Sequence, residues 1–269
     1  MPGLQWRDAG EPDTMPSGAQ AYDSIERPGD TLAGGALPFS EAHFGSHRMH
    51  IPPQAPLHLI HRVSEGTLAT HSREPSGFPY PTALPFAPTA RHAPMLLISR
   101  LAEHTRNLHA DARAGFLVAH ATDGHVLEGQ RLTLLGTFAP AAESEHEELA
   151  QRYLRYHPDA GRYLQLGDFA FWVMQPERMR FIGGFGAMGW LDGDDIDPLE
   201  PIAAAEESSL CAFFDAYASR PTNLELLGID RYGCDLLRDG IRNRFTYDKP
   251  RLTTEDLKAA VIDCFERQT

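Results

Sequence analysis

The chain has 269 residues, enough for one large domain or two ordinary ones, and its 42% apolar content can fill a core, which excludes disorder throughout. Acidic residues outnumber basic ones by 37 to 24, for a formal charge of -13, which argues against nucleic acid as a partner but leaves room for a small phosphorylated cofactor needing only a few local donors. Three cysteines, Cys211, Cys234 and Cys264, are odd in number and lack a C-x-x-C pair, so they read as buried free thiols in a reducing compartment. No window has the apolar length of a membrane span, and the N-terminus lacks the basic-then-apolar order of a signal peptide. The expected location is cytoplasmic, with no membrane partner.

Residues 1–52 are rich in Gly, Pro, Ala and Asp without a period of 2 or 3.6, and are expected to be a tail. From Pro56, the spacing of Leu57, Ile60 and Val63 before Gly66 predicts a short amphipathic helix. Strands are expected over 67–72 and 80–87, flanking the turn Glu74-Pro75-Ser76-Gly77, and again over 94–99, 115–120 and 130–139, with a short helix at about 104–110. A capping box of Ser144 with Glu147 predicts a helix that ends before Pro158. Segments 169–174 and 178–182 read as a last hairpin around Gln175-Pro176-Glu177. Many short strands with frequent turns favour a barrel over a doubly wound sheet.

The glycines from Gly183 to Gly186 suit a strand bend, and the acidic run from Asp192 to Asp195 marks a boundary. Beyond it, Ile202, Leu210, Phe213, Phe214 and Tyr217 make a helix stripe with Pro201 in the first turn. Segments 224–229, 233–237 and 241–247 predict a three-stranded meander whose second turn is Asp239-Gly240. A last helix is capped near Thr253 and buries Leu257, Ala260, Val261, Cys264 and Phe265. The reading is an α+β chain in three parts: tail 1–52, barrel 53–191 and a small C-terminal α+β domain 198–269.

The segment LISRLAEHTRNL at 97–108, running into Asp111-Ala112-Arg113-Ala114, resembles the strand, loop and helix that hold the flavin phosphate in the pyridoxamine-phosphate-oxidase-like FMN-binding split-barrel family. It is most similar to the haem-utilisation (HugZ/HutZ-type) branch. The segments GQRLTLLG at 129–136, GDFAF at 167–171 and FIGGFG at 181–186 follow in the same order. The segment GIDRYG at 228–233 resembles the accessory domain often joined to such barrels, so that the likeness covers roughly residues 54–268.

The resemblance implies a homodimer with two sites across its interface, FMN as cofactor with haem as the other candidate, and oxidoreductase or haem-degrading activity. A non-catalytic binding or regulatory module on the same barrel is the other reading. A flavin phosphate needs convergent donors where a loop opens a helix, and Ser99, His104, Thr105, Arg106 and Asn107 fit that demand. The bland alternative is a capped surface helix. His104 stands where many relatives carry a lysine, and a neutral imidazole brings less charge to a phosphate.

Gln130 and Arg131, read as opening a strand, resemble positions that reach the flavin or its phosphate, while Arg131 also reads as a solvated strand-end charge. Pro85 and Phe86 fall on the strand whose backbone edge faces the flavin ring in the family, or else are a packed strand end. Asp168 matches an aspartate that lies near haem in the haem-utilisation proteins and supports degradation by hydrogen bonding; a turn or strand cap is its simpler account.

Relatives that degrade haem commonly ligate iron with a C-terminal histidine, whereas the last histidine here is His157. His43, His47 and His50 beside Glu41 would share one face of a helix and offer metal ligands, but their Gly- and Pro-rich setting lacks a rigid scaffold, and no native metal is expected. His58 and His61, on the first helix, read as interfacial or solvated. No nucleophile elbow, Walker loop or zinc-ribbon spacing is present, and the 183–186 glycines lack dinucleotide-fingerprint spacing.

Overall fold

The computed structural model describes residues 51, 54–122, 124–184 and 187–267. The expected tail and its His43, His47 and His50 cluster lie outside the described residues, apart from Ile51. The first helix, α1 (Ala55–Arg62), has Pro56 in its first turn and buries Leu57, Leu59 and Ile60. Strands β1 (Glu65–His71), β2 (Pro79–Pro85), β3 (Ala87–Pro88) and β4 (Pro94–Ser99) follow, then α2 (Glu103–Ala110), β5 (Arg113–Thr122), β6 (His125–Pro140), α3 (His146–Tyr156), the short α4 (Gly161–Leu164), β7 (Phe169–Ile182) and β8 (Met188–Asp192).

These eight strands form one antiparallel sheet in the order β2-β1-β5-β6-β7-β4-β3, with β8 beside β7. It curls as a split barrel. Alternation sets its inside: Phe116 and Val118 on β5 and Leu132, Leu134 and Phe138 on β6 are buried, while Leu117 and Leu135 point outward. Phe86, Trp172, Met179 and Phe181 join that core, and α1 plugs it with Leu59 and Ile60.

Two local features differ from the pattern the sequence predicts. Segment 169–182 is one continuous strand: Pro176, which lacks a donor, sits at a bulge where the register steps from Leu135–Arg178 to Gly136–Pro176 and skips Glu177. Gly136 is needed there, because a Cβ would collide with the Gln175 carbonyl. Ser144 does not cap α3; it lies in a 3₁₀ turn (Glu143–Glu145) whose Glu145 Oε2 accepts from the Ala142 N–H at 3.0 Å.

The C-terminal region contains α5 (Ala204–Asp215), the meander β9 (Leu224–Asp230), β10 (Gly233–Arg238) and β11 (Ile241–Thr246), and α6 (Thr254–Glu266). Pro201 precedes α5 and does not enter its first turn. The Asp239-Gly240 turn has φ of 51° and 79°, as a tight hairpin of this type requires. Thr253 Oγ1 accepts from the Asp256 N–H at 3.1 Å, and α6 buries all five residues expected of it. No helix among the described residues is long and apolar enough to cross a membrane.

Candidate functional site

The loop from β4 into α2 closes largely on itself. Ser99 Oγ donates to Asp168 Oδ2 at 2.5 Å and accepts from the Leu101 N–H at 3.1 Å, while the Arg100 N–H donates to the Asp168 carbonyl at 2.8 Å. Thr105 Oγ1 donates to the Ser99 carbonyl at 2.7 Å. Asp168 thus pins the loop to the segment entering β7, where Ser99 pairs with Phe169. Asn107 is fully buried and bridges to β1, donating to Thr70 Oγ1 at 3.1 Å and accepting from the Arg73 N–H at 3.2 Å.

Two side chains of the loop remain. Arg106 is half exposed and reaches Glu103 at 3.4 Å. His104 is 9% exposed, and its Nε2 is buried without a hydrogen-bond partner. Burial pushes its pKa down, which favours the neutral imidazole. No side chain caps α2, so its first-turn N–H groups have no cap side chain to meet them.

The remaining expected residues are placed apart from one another in the sheet. Gln130 and Arg131 lie within β6, not at its start, paired with His120 and Ala119 of β5. Phe86 is a core side chain packed edge-on against Phe116 at 5.2 Å. Its N–H donates to the Ser64 carbonyl at 3.0 Å and its carbonyl contacts His157 Nε2 at 2.8 Å; the Pro85 carbonyl faces Tyr153 Oη at 3.5 Å. The Phe86 side chain is thus part of the barrel core.

A second polar cluster joins α1 to the C-terminal meander. His61 is fully buried; its Nδ1 lies 2.6 Å from Asp235 Oδ2 and its Nε2 lies 2.8 Å from His92 Nδ1. His92 Nε2 in turn lies 2.9 Å from Asp197 Oδ2. Tyr156 and Tyr232 donate to Asp235 and Asp197, each at 2.5 Å. Arg244 spends its fork on Asp235 Oδ1 (2.7 Å), both oxygens of Asp230 (2.8 and 2.9 Å) and His58 Nδ1 (2.9 Å). Arg152 and Arg155 pair with the buried Glu207 alongside.

Three successive links, Asp235–His61, His61–His92 and His92–Asp197, run through the cluster. Burial pushes His61 down to about 4, which favours its neutral imidazole, with one ring N–H donating to the Asp235 carboxylate. The carboxylates remain ionised: Arg244 and the imidazoles hold Asp230 down to about 2, against its burial, and hold Asp235 lower still.

His61, His92 and Asp230 also offer ligand atoms within 4.8 Å of one another. A tetrahedral metal would hold its nitrogens about 3.3 Å apart. At 2.8 Å these two nitrogens share a proton, and Arg244 already occupies Asp230.

Two hollows flank these features. A cleft of about 940 Å³ is lined by His92, Asp197, Leu149, Met174, Ile202 and Arg91, among others. A groove of about 520 Å³ lies on the outer face of the sheet, with Ala69, Gly115 and Leu135 as its floor and His71, Arg113 and Glu177 at its edges. Arg113 forks onto Asp111 at 2.9 and 2.6 Å, which holds the Asp111 carboxyl well below its ordinary value. Residue patterning singled out neither hollow. Alternation along β1, which puts His71 on the outward face with Ala69 and Thr67, was the available signal for the groove.

The sequence pattern of the CREG, beta-barrel family matches residues 53–196. A chloroplastic heme oxygenase, HOZ, of Arabidopsis thaliana is 32% identical over 119 residues, which are 44% of this chain and 36% of that one. The heme oxygenase HutZ of Vibrio cholerae is 26% identical over 140 residues, or 50% of this chain and 79% of that one. The chain thus spans about a third of the length of the first of these relatives and about four-fifths of the second.

Among solved structures, a protein of unknown function from Agrobacterium tumefaciens superposes with a TM-score of 0.66 at 22% identity, covering 77% of this chain and 92% of that one, which shows the fold alone. A heme binding protein from Mycobacterium smegmatis superposes with a TM-score of 0.52 at 27% identity, covering 82% of this chain and all of that one.

Proposed function

Because the chain belongs to the CREG, beta-barrel family, we propose that it is a haem-binding split-barrel protein that pairs with a second copy of itself through the outer face of its sheet. The likeness to the Mycobacterium smegmatis heme binding protein, which runs the whole length of that chain, carries the reading. The two heme oxygenases that match this sequence support it and suggest oxidative haem breakdown as the activity. Within this reading, residues 53–191 are the barrel unit and 198–269 the accessory unit. Three unpaired cysteines suit a cytoplasmic setting.

The chemistry of the outer sheet fits a flat apolar ligand with carboxylate arms. Small residues floor the groove, and Arg113 brings a cation to its edge. Leu117 and Leu135 are 39% and 41% exposed on the same face, which favours covering by a second copy. Titration with haemin tests the reading directly: a saturable Soret band is expected, and a protein that takes up no haemin refutes it. Ascorbate and oxygen added to the complex then separate activities. Decay of the band with release of iron indicates haem breakdown, and a stable band indicates a binding or regulatory module.

The orphaned Nε2 of His104 favours a second reading, FMN bound with its phosphate at the start of α2. His104 and Arg106 would be the main side-chain contacts there, since Ser99, Thr105 and Asn107 are already bonded within the fold. Gln130 and Arg131 would serve the ring end of the cofactor. Quenching of FMN fluorescence should weaken in Arg106→Ala, and equal affinity in both proteins removes this assignment.

A further inference from the structure

Ten of the histidines fall among the described residues, and haem iron needs one whose ring nitrogen is both free to bind and set beside an apolar surface. His58, His61, His92 and His157 are held in hydrogen bonds inside the fold, and His104 is buried. His109 and His146 are exposed and pack edge-on against Trp172 and Phe171, but they line neither hollow. His120 and His125 are exposed on β5 and β6 and line neither hollow. His71 differs from all of these, because it is exposed and lines the 520 Å³ groove.

We propose that His71 is the axial ligand for haem iron in the outer-sheet groove, with Arg113 receiving a propionate; this inference rests on the haem reading above. The placement follows from the strand period. β1 buries Leu68 and Thr70 and turns Ala69 and His71 outward, so the imidazole stands next to a floor of small residues. The register pairs Thr70 with Ala114 and Ala69 with Gly115, which brings Arg113 beside His71 at the end of the ladder.

Gly115 keeps that floor flat. A Cβ there would stand 3.8 Å from Leu135 and 3.9 Å from Ala69, in the space a planar ring would occupy. The Arg113 guanidinium is charged and steered by Asp111, yet only two of its five donors are spent on that carboxylate, the third bond to Asp111 coming from the Arg113 backbone N–H. The three demands of haem, a flat apolar face, an imidazole for iron and a cation for carboxylate, therefore meet within one groove.

Haemin titration of the full chain, read by absorbance and by electron paramagnetic resonance of the ferric complex, tests this. In wild type a histidine-ligated spectrum is expected. His71→Ala should lose at least tenfold in affinity and lose the histidine signature, and added imidazole should restore it. Arg113→Ala should lose several-fold in affinity with the iron signature intact, and His120→Ala should match wild type. Far-ultraviolet circular dichroism of each variant, with His71→Gln as a second replacement, separates lost ligation from misfolding. An unchanged spectrum and affinity in His71→Ala overturns the assignment while leaving haem binding in place. So does a signature that disappears only when His43, His47 and His50 are replaced together. A wild type that binds no haemin overturns both.

Discussion

The loop that opens α2 and the junction between α1 and the meander hold comparable sets of polar side chains, and they use them differently. In the loop, Ser99, Thr105 and Asp168 join groups on adjoining strands at the edge of solvent, leaving His104 and Arg106 unabsorbed. At the junction the polar groups are buried or half-buried and bonded to one another, across residues as far apart as His58 and Arg244, 186 positions along the chain. The difference teaches where energy and function separate. Satisfied, buried charge fixes how the parts dock, and residual capacity at a partly exposed site is what a ligand can use.

The largest expected effect breaks the junction. Arg244→Met leaves Asp230 and Asp235 buried without their cation, and breaking a buried pair on one side costs roughly 3–5 kcal/mol. Urea denaturation should show a loss of that size. A loss under about 1 kcal/mol would mean that water reaches the two carboxylates.

Acid should act on the same region. His58 and His61 are held at about 3 and 4 by burial, whereas in the unfolded chain each takes up its proton near 6.5. Between those values the unfolded chain binds more protons than the fold, so stability is full above about pH 6.5 and falls steadily as pH drops toward 4. Below pH 4 the depressed carboxylates of Asp230 and Asp235 add to the loss as they protonate. Urea midpoints measured from pH 7.5 to 4.5 should fall across that window. A flat profile would show that these imidazoles are not buried in the neutral form.

The same contrast explains what could be read in advance. Strand β4 and helix α6, with its Thr253 cap and five buried residues, were legible because alternation, helical spacing and caps act between near neighbours. The bulge at Pro176 resembled a turn, since proline marks both, and only the partner strand with Gly136 distinguishes them. The α2 loop was recognised as polar, but its use was not: whether Ser99 meets a phosphate or Asp168 depends on where residue 168 lies in space. The His61–His92–Asp197 chain had no sequence signal, because each partner comes from a different segment and none is spaced as a motif.

Within the loop the expected effects are smaller and can be ordered. Ser99→Ala removes the hydroxyl that bonds Asp168 and accepts from the Leu101 N–H, at a cost of about 1–2 kcal/mol, and its urea midpoint should follow the wild-type pH profile in parallel. A loss as large as that of Arg244→Met would place the loop among the elements that hold the barrel together.

Arg106→Ala marks the lower limit. Its guanidinium is half exposed and meets only Glu103, three residues earlier on the same helix, an arrangement worth about 0.5 kcal/mol or less. Stability should therefore be nearly unchanged in the free protein, so any effect on ligand affinity is an effect on binding. Thermal unfolding with and without FMN makes the distinction. If α2 receives the phosphate, the ligand-induced rise in Tm shrinks in the variant while the ligand-free Tm does not move. A ligand-free Tm lowered by as much as in Ser99→Ala would instead make Arg106 part of the self-closing knot, and the loop would then resemble the junction in having little capacity to spare.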